Sequence, residues 1–453
     1  MKKKLGILLV VSAMFVFTAC GNSTDISDTG NANAYKEDSN VQIPSFNVEA
    51  TIEETVLVDQ NDLKITATAL SYSSYSVDLE ITIENNSGSD VSVISGSIGY
   101  SCNSVNGYMI DEGYINANVS SGKTAKESAS FSIDELEVYG INCIADIQLG
   151  FDIQDDTGNH FYSGPVQVKS SIADEYDYSS DTYTEAINNG ILSALYDYSV
   201  DYFAETELYN QGDIRIISET LVTNTDGEKT IYLEIENDSA SMVYGIAEKV
   251  SVNGLIVYSG TWSSDAINPG TRRIMDISVS NLLDTSYWEA LGISDIGNMT
   301  LDFGVKDSDY NYLNSPVEIS VDVSEKDSSF DDSGEEIYSG TGVRMISKGL
   351  VEDSAESDGD IHMLLLVENT GDETFTIEDS YDSLSMNSFM LDYIMYSAEI
   401  PSGKIAIIDV EVDKSSLEEN EISKTSEITE SEMTFEITDS DYNTIEIKVT
   451  ISY

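Results

Sequence analysis

Two identical pentapeptides hold the residues whose types and spacing best suit chemistry. Asp307-Ser308-Asp309-Tyr310-Asn311 recurs as Asp439-Ser440-Asp441-Tyr442-Asn443, and a looser form, Asp155-Asp156-Thr157-Gly158-Asn159, precedes both. Oxygen ligands at alternate positions suit a hard cation, so Asp307, Asp309, Asn311, Asp439, Asp441 and Asn443 are candidate calcium ligands. The pattern stops short of a full EF-hand loop. Position six is Tyr312 or Thr444 instead of Gly, and position twelve is acidic only once, as Glu318 against Thr450. Asp, Asn and Gly also build ordinary hairpin turns, so a structural turn stands beside the cation reading. Calcium is the one cofactor the pattern suggests.

Other chemistry is thinly represented. Besides Cys20, Cys102 and Cys143 fall in one stretch of the chain and have no counterparts elsewhere. In an exported protein they could form a single bridge, or remain two buried thiols. His160 and His362 have no His or Cys at metal-ligand spacing and read as structural or surface residues. There is no nucleophile elbow, phosphate-binding loop, zincin motif or Cys-x-x-Cys. Carboxylate pairs are too abundant to single out a glycosidase-like couple. Trp262, Trp288 and Tyr258, with Tyr100, Tyr108 and Tyr114, could form a sugar-stacking face, although Tyr is also a strand former. The expectation is a protein that is not an enzyme.

Each Asp turn ends an alternating apolar strand: Ile147, Leu149, Phe151 and Ile153; Met299, Leu301, Phe303 and Val305; Met433, Phe435 and Ile437. Period-two alternation running into Asp, Asn or Gly is a strand entering a tight turn. Five further markers recur in the same order. They are a strand with a basic residue (Lys64, Arg215, Arg344), a strand closing on Glu-Asn (Asn85, Asn237, Asn369), an Asn hairpin (Asn106, Asn253, Asn387), a turn Gly (Gly122, Gly270, Gly403) and a closing apolar strand. Hairpin Asn and turn Gly lie 16, 17 and 16 residues apart. The chain is therefore a threefold repeat. Copies at 55–171, 206–323 and 337–453 each predict seven or eight short strands. That pattern predicts an all-β fold of three tandem immunoglobulin-like antiparallel β-sandwich domains, with a β-barrel as the alternative. Residues 172–205 form a Tyr-rich linker in which Ile187, Ile191, Leu192, Leu195 and Tyr196 predict one short amphipathic helix; residues 324–336 form an acidic linker.

The N-terminus has the layout of an export signal. Lys2-Lys3-Lys4 precedes an apolar run from Leu5 to Phe17, too short to span a bilayer. Thr18-Ala19-Cys20 then resembles a bacterial lipobox, which makes 1–19 a signal peptide and Cys20 the lipidated N-terminus. Residues 20–54 are poor in apolar side chains and read as a flexible tether. A formal charge of −61, from 21 Lys+Arg against 82 Asp+Glu, disfavours nucleic acid and anionic headgroups as partners. With 41% hydrophobic residues and 27 Tyr the chain still has material for cores.

Taken together, the lipobox and the repeated markers resemble bacterial lipoproteins carrying tandem immunoglobulin-like repeats of uncharacterised type. The resemblance implies attachment to the cell membrane through palmitate-type acylation of Cys20, on the extracytoplasmic face. It implies a non-enzymatic binding, adhesion or envelope-scaffold role toward an unknown protein or glycan ligand. A carbohydrate- or solute-capturing lipoprotein is the alternative, and a calcium-dependent surface module the second.

Overall fold

Alternation along single strands decides this architecture. In Ser76–Asn85 every second residue is buried, with Val77, Leu79, Ile81 and Ile83 pointing to one side. Lys229–Asn237 repeats the pattern with Ile231, Leu233 and Ile235. Ile361–Asn369 departs from it and is buried almost throughout. Its two faces serve two cores, Met363, Leu365 and Val367 in one and Leu364 and Leu366 in another. A strand covered on both sides reads as a continuous apolar run.

The structure, a computed structural model, describes residues 46, 49–96, 102–323, 326–352 and 360–453. The signal sequence, Cys20 and nearly all of the expected tether lie outside these residues. The tether's last residues belong to the fold: Ala50 is buried, Ser171 donates its N–H to the Thr51 carbonyl at 2.7 Å, and Ile52 bridges to Ser170.

The protein is all-β, and the described residues form a sandwich fold of four sheets holding 4, 11, 9 and 6 strands. The first sheet comprises Thr55–Gln60, Leu63–Tyr72, Ser76–Asn85 and Lys123–Ser132. Three apolar cores fill the space between layers. The two large sheets each span two sequence copies. In the first of them the hairpin strand Tyr108–Met109 lies parallel to Thr271–Ser278, with Tyr108 opposite Arg272. In the second, Leu255–Ser263 lies parallel to Ile405–Val412, with Leu255 opposite Ile405 and Ile256 opposite Ala406. Side chains follow the backbones across: Met109 enters the second core and Ile256 the third. Val41–Tyr453 accordingly packs as one compact unit.

The Glu-Asn marker acquires a physical role. Asn85, Asn237 and Asn369 are each fully buried. Their Nδ2 groups donate to the Val119, Ile267 and Ile400 carbonyls, all at 2.8 Å. The same amides donate to the Ser89, Ser241 and Glu373 carbonyls of the turn that follows. Their Oδ1 atoms accept the N–H of Ser87, Ser239 and Gly371, each at 3.0 Å. One side chain thus ties a paired strand or bridge to the polar groups of the turn that follows, which helps satisfy the backbone of a buried turn.

The Tyr-rich linker differs from its expected single helix. It holds two, Thr182–Asn188 and Ile191–Tyr196, because Gly190 takes a left-handed conformation (φ 70°) that L side chains resist. Tyr183, Ile187 and Leu192 of these helices pack into the first core. The linker's last stretch, Ser199–Ala204, is a strand paired with Ile214–Thr223. Short helices also occur at one matching place in each copy, at Ile133–Val138, Val279–Leu282 and Lys414–Glu419, capped by Ser132, Ser278 and Asp413.

Replacing Asn237 with Ala strips the Ser239 N–H of its partner and removes one hydrogen bond from each of the Ser241 and Ile267 carbonyls, which keep the Ser239 hydroxyl and the Val243 N–H. The expected loss of stability is about 3 kcal/mol, given ~1–3 kcal/mol per orphaned buried group. Chemical denaturation of the variant against the parent chain measures it; a change within error would remove the Asn from its assigned role.

Candidate functional site

The Asp turns come first because the sequence put them first. In the second copy Asp307 Oδ1 accepts the backbone N–H groups of Asp309 and Asn311, both at 2.9 Å. In the third, Asp439 Oδ1 accepts from Asp441 and Asn443 at 2.9 and 2.8 Å, and the Asn443 amide donates to Asp439 Oδ2 at 2.9 Å. In the first, Asp155 takes the same two backbone groups from Thr157 and Asn159. Hydrogen bonds from Thr157 and Asn159 hold the Asp155 carboxyl down at about 2. Tyr310, Tyr442 and Gly158 occupy the left-handed position that closes each turn. The leading carboxylate of each pentapeptide therefore organises its own hairpin. Among the described residues no group of three or more His, Cys, Asp and Glu is placed to hold a metal ion.

Cys102 is buried, Cys143 half-buried, and both are free thiols, so the bridge left open by the sequence is not formed. Burial pushes the Cys102 thiol up to about 12 and raises that of Cys143. Neither is a ready thiolate. Their carbonyls are engaged by Asn268 and Asn106, both at 2.7 Å. His160 pairs with Asp152 on the surface. His362 is buried between copies: its Nδ1 lies 2.8 Å from Tyr287 Oη and 3.0 Å from Asp409 Oδ1, while Tyr287 donates to Asp409 at 2.9 Å.

The proposed aromatic face disperses. Tyr108 is only 3% exposed, because the strand it lies on is sandwiched inside the first junction. There its hydroxyl accepts from Arg272 at 3.3 Å and its ring lies 5.9 Å from that guanidinium. Arg272 is shared further with Glu234, Glu236 and Asp181. Trp262 and Trp288 donate their indole N–H groups to the Asp276 and Leu283 carbonyls and pack against the second core. Tyr258 packs against the same core. Tyr100 lies outside the described residues.

Tyr114 alone among these lines an open cleft, of about 360 Å³, together with Tyr75, Asp111, Glu112, Ser130 and Ser132. Tyr75 and Tyr114 are exposed. Asp111 receives Arg273 of the second copy at 2.6 Å, and Arg273 also meets Asp265 at 2.9 Å. Glu112 accepts the Ser132 N–H. Burial raises the Glu112 carboxyl, and burial followed by Glu112 and Asp111 pushes nearby Glu135 up to about 7. Carboxyl and hydroxyl groups offer hydrogen bonds, and tyrosine rings offer a flat apolar surface. The cleft thus combines a stacking surface with polar contacts for a polar ligand. Sequence reasoning missed Tyr75, Asp111, Glu112, Glu135 and Arg273. The Asp111-Glu112 pair two residues beyond the hairpin strand was the available signal, but Arg273 arrives from 162 residues away.

No protein-family model matches the chain, and no curated protein matches it. Among solved structures it is similar to a 1.5-MDa bacterial ice-binding adhesin described for host cell surface retention, at 12% identity over 83% of this chain and 90% of that one, with a TM-score of 0.14. It is similar to a Ca²⁺-stabilized adhesin of an Antarctic bacterium that binds ice, at 11% identity over 83% and 68%, with a TM-score of 0.15. An exo-β-D-glucosaminidase follows at 8% identity over 88% and 78%, with a TM-score of 0.18. Scores of this size carry no functional argument, and the residues decide the reading.

Two outcomes follow from this geometry. Asp307→Ala should lower the thermal midpoint, Asp309→Ala should leave it unchanged, and millimolar calcium should shift neither. A calcium-dependent rise abolished by Asp309→Ala would restore the cation reading. For pH, the Glu135 carboxyl is raised in the folded chain above its ordinary 4.5. Its stabilising contribution is complete below that value and is lost as the pH climbs through about 7. Thermal midpoints should therefore fall from about pH 5 to about pH 8, and Glu135→Gln should flatten that fall; an identical slope in the variant would assign the pH dependence elsewhere.

Proposed function

We propose that this chain is a lipid-anchored binding protein of the extracytoplasmic membrane face, acting through the surfaces it presents and not through catalysis. Acylated Cys20 would hold it to the membrane, residues 20–54 would lift the fold from the lipid, and three sandwich domains at 55–171, 206–323 and 337–453 would form the display. Its role is adhesion or the scaffolding of an envelope complex, with a protein partner. Among the described residues no helix is long and apolar enough to cross a membrane, so attachment is assigned to the N-terminal sequence.

The observation that carries the reading is the strand pairing between copies. A binding surface carried beyond a membrane needs a support that transmits position, and sheets continued from copy to copy supply one. A second reading, capture of a glycan, is favoured by the cleft of Tyr75, Tyr114, Asp111 and Glu112.

Fractionation tests the anchor: the parent chain should sediment with membranes and Cys20→Ser should lose its acyl label and leave them. Retention of unlabelled Cys20→Ser in membranes would refute a lipid anchor. Pull-down of the acylated chain with mass spectrometry should return a reproducible protein partner. Repeated failure, with glycan binding lost on Tyr114→Ala, would move the assignment to the second reading.

A further inference from the structure

Both internal junctions use the same positions. The donor is the second residue after the hairpin Asn: Tyr108 after Asn106, Leu255 after Asn253. The acceptor is the second residue after the turn Gly: Arg272 after Gly270, Ile405 after Gly403. The next donor residue, Met109 or Ile256, drops into the following core. The hairpin Asn sets the geometry. Asn106, Asn253 and Asn387 all have φ near 50° (49°, 52° and 50°). Each clamps the loop before the next long strand, through the Cys143, Asp295 and Glu427 carbonyls and the Ala145, Gly297 and Thr429 N–H groups.

The third hairpin is built alike and left open. Its outer strand, Phe389–Met390, pairs only with Ser385–Met386 among the described residues. Phe389 is 45% exposed and Met390 60%, where Leu255 is 0% and Met109 2%. The matching acceptor is open along its first half, while Ser130 and Ser132 at its far end are engaged by the Gly113 N–H and the Glu112 carboxyl. Lys123–Ser132 is the outermost strand of the first sheet among the described residues. Its Lys123, Thr124 and Lys126 are exposed, whereas Thr271, the counterpart of Lys123, is buried.

We infer that a second copy of this chain joins these two edges. Phe389-Met390 of one molecule lies parallel to Lys123–Ser132 of the next, with Phe389 opposite Thr124 and Met390 opposite Ala125. Continuity with the two internal junctions sets this register. Charge is complementary in sign: Asp392 follows the donated strand, while Lys123 and Lys126 put cations on the receiving strand of an otherwise acidic protein, although Ala125 stands where the first junction has Arg273. An open edge pairs readily with another strand. A head-to-tail interface of this kind repeats into a ring if its rotation closes and into an open array if it does not.

Cross-linking of the full chain, purified in mild detergent, tests the inference. Chains carrying Thr124→Cys and chains carrying Phe389→Cys, mixed and oxidised, should form a mixed disulfide several-fold above either variant alone, which also reports the background from the native cysteines. Met390→Glu added to the Phe389→Cys chain should abolish it, and Lys123→Glu with Lys126→Glu on the other chain should weaken it. All of these positions are exposed, and an unchanged thermal midpoint verifies that each variant is folded. Cross-linking no greater than background would overturn the inference, leaving Lys123 and Lys126 as guards of an unpaired edge. Mixed disulfides that survive Met390→Glu would overturn the proposed register.

Discussion

An open sheet edge carries a row of unpaired N–H and C=O groups, and it must be paired, covered or charged. This chain meets that constraint twice by the same means. The edge at Thr271–Ser278 receives Tyr108–Met109, and the edge at Ile405–Val412 receives Leu255–Ser263. Most other features of the molecule follow from these contacts. The cores interpenetrate because Met109 and Ile256 cross with their backbones. The most elaborate charge networks, around Arg272 and Arg273, sit where the first two copies meet. Tyr287, His362 and Asp409 brace the second meeting point.

The pairing in turn depends on two asparagines in each copy. Asn85, Asn237 and Asn369 tie the end of one sheet to a strand or bridge of the other, fixing the spacing of the layers. Asn106, Asn253 and Asn387 hold the hairpin at its left-handed corner and so aim the strand that is donated. A backbone conformation with positive φ suits Asn better than most side chains. Burial of a primary amide is tolerated because both its donor and acceptor sites are satisfied. The Asp turns belong to the same economy of local hydrogen bonds, with a carboxylate in place of an amide.

Much of the strand plan was legible in the sequence, because alternation in segments such as Ser76–Asn85 is a local property that burial repeats residue by residue. The markers Asn85, Asn237 and Asn369 were visible as a pattern, but their meaning was not, since their carbonyl partners lie some thirty residues away. Tyr108 looked like part of a sugar platform and proved to be covered by a strand 164 residues later; no local signal encodes that. The small helices escaped because six residues or fewer show no periodicity, although Ser132 followed by Glu135 is a readable cap. Within the candidate cleft, only Tyr114 was anticipated. Its neighbours depend on which copy packs against which, and that is settled by long-range pairing.

Parallel pairing between copies is the central claim, and one amide reports on it directly. The Arg272 N–H donates to the Gly107 carbonyl at 2.8 Å across the first junction. Residue-resolved hydrogen exchange of the full chain should find this amide as protected as those within Lys229–Asn237, the neighbouring inner strand. Exchange at the rate of an open loop, with Lys229–Asn237 still protected, would contradict the pairing and the continuous scaffold built on it.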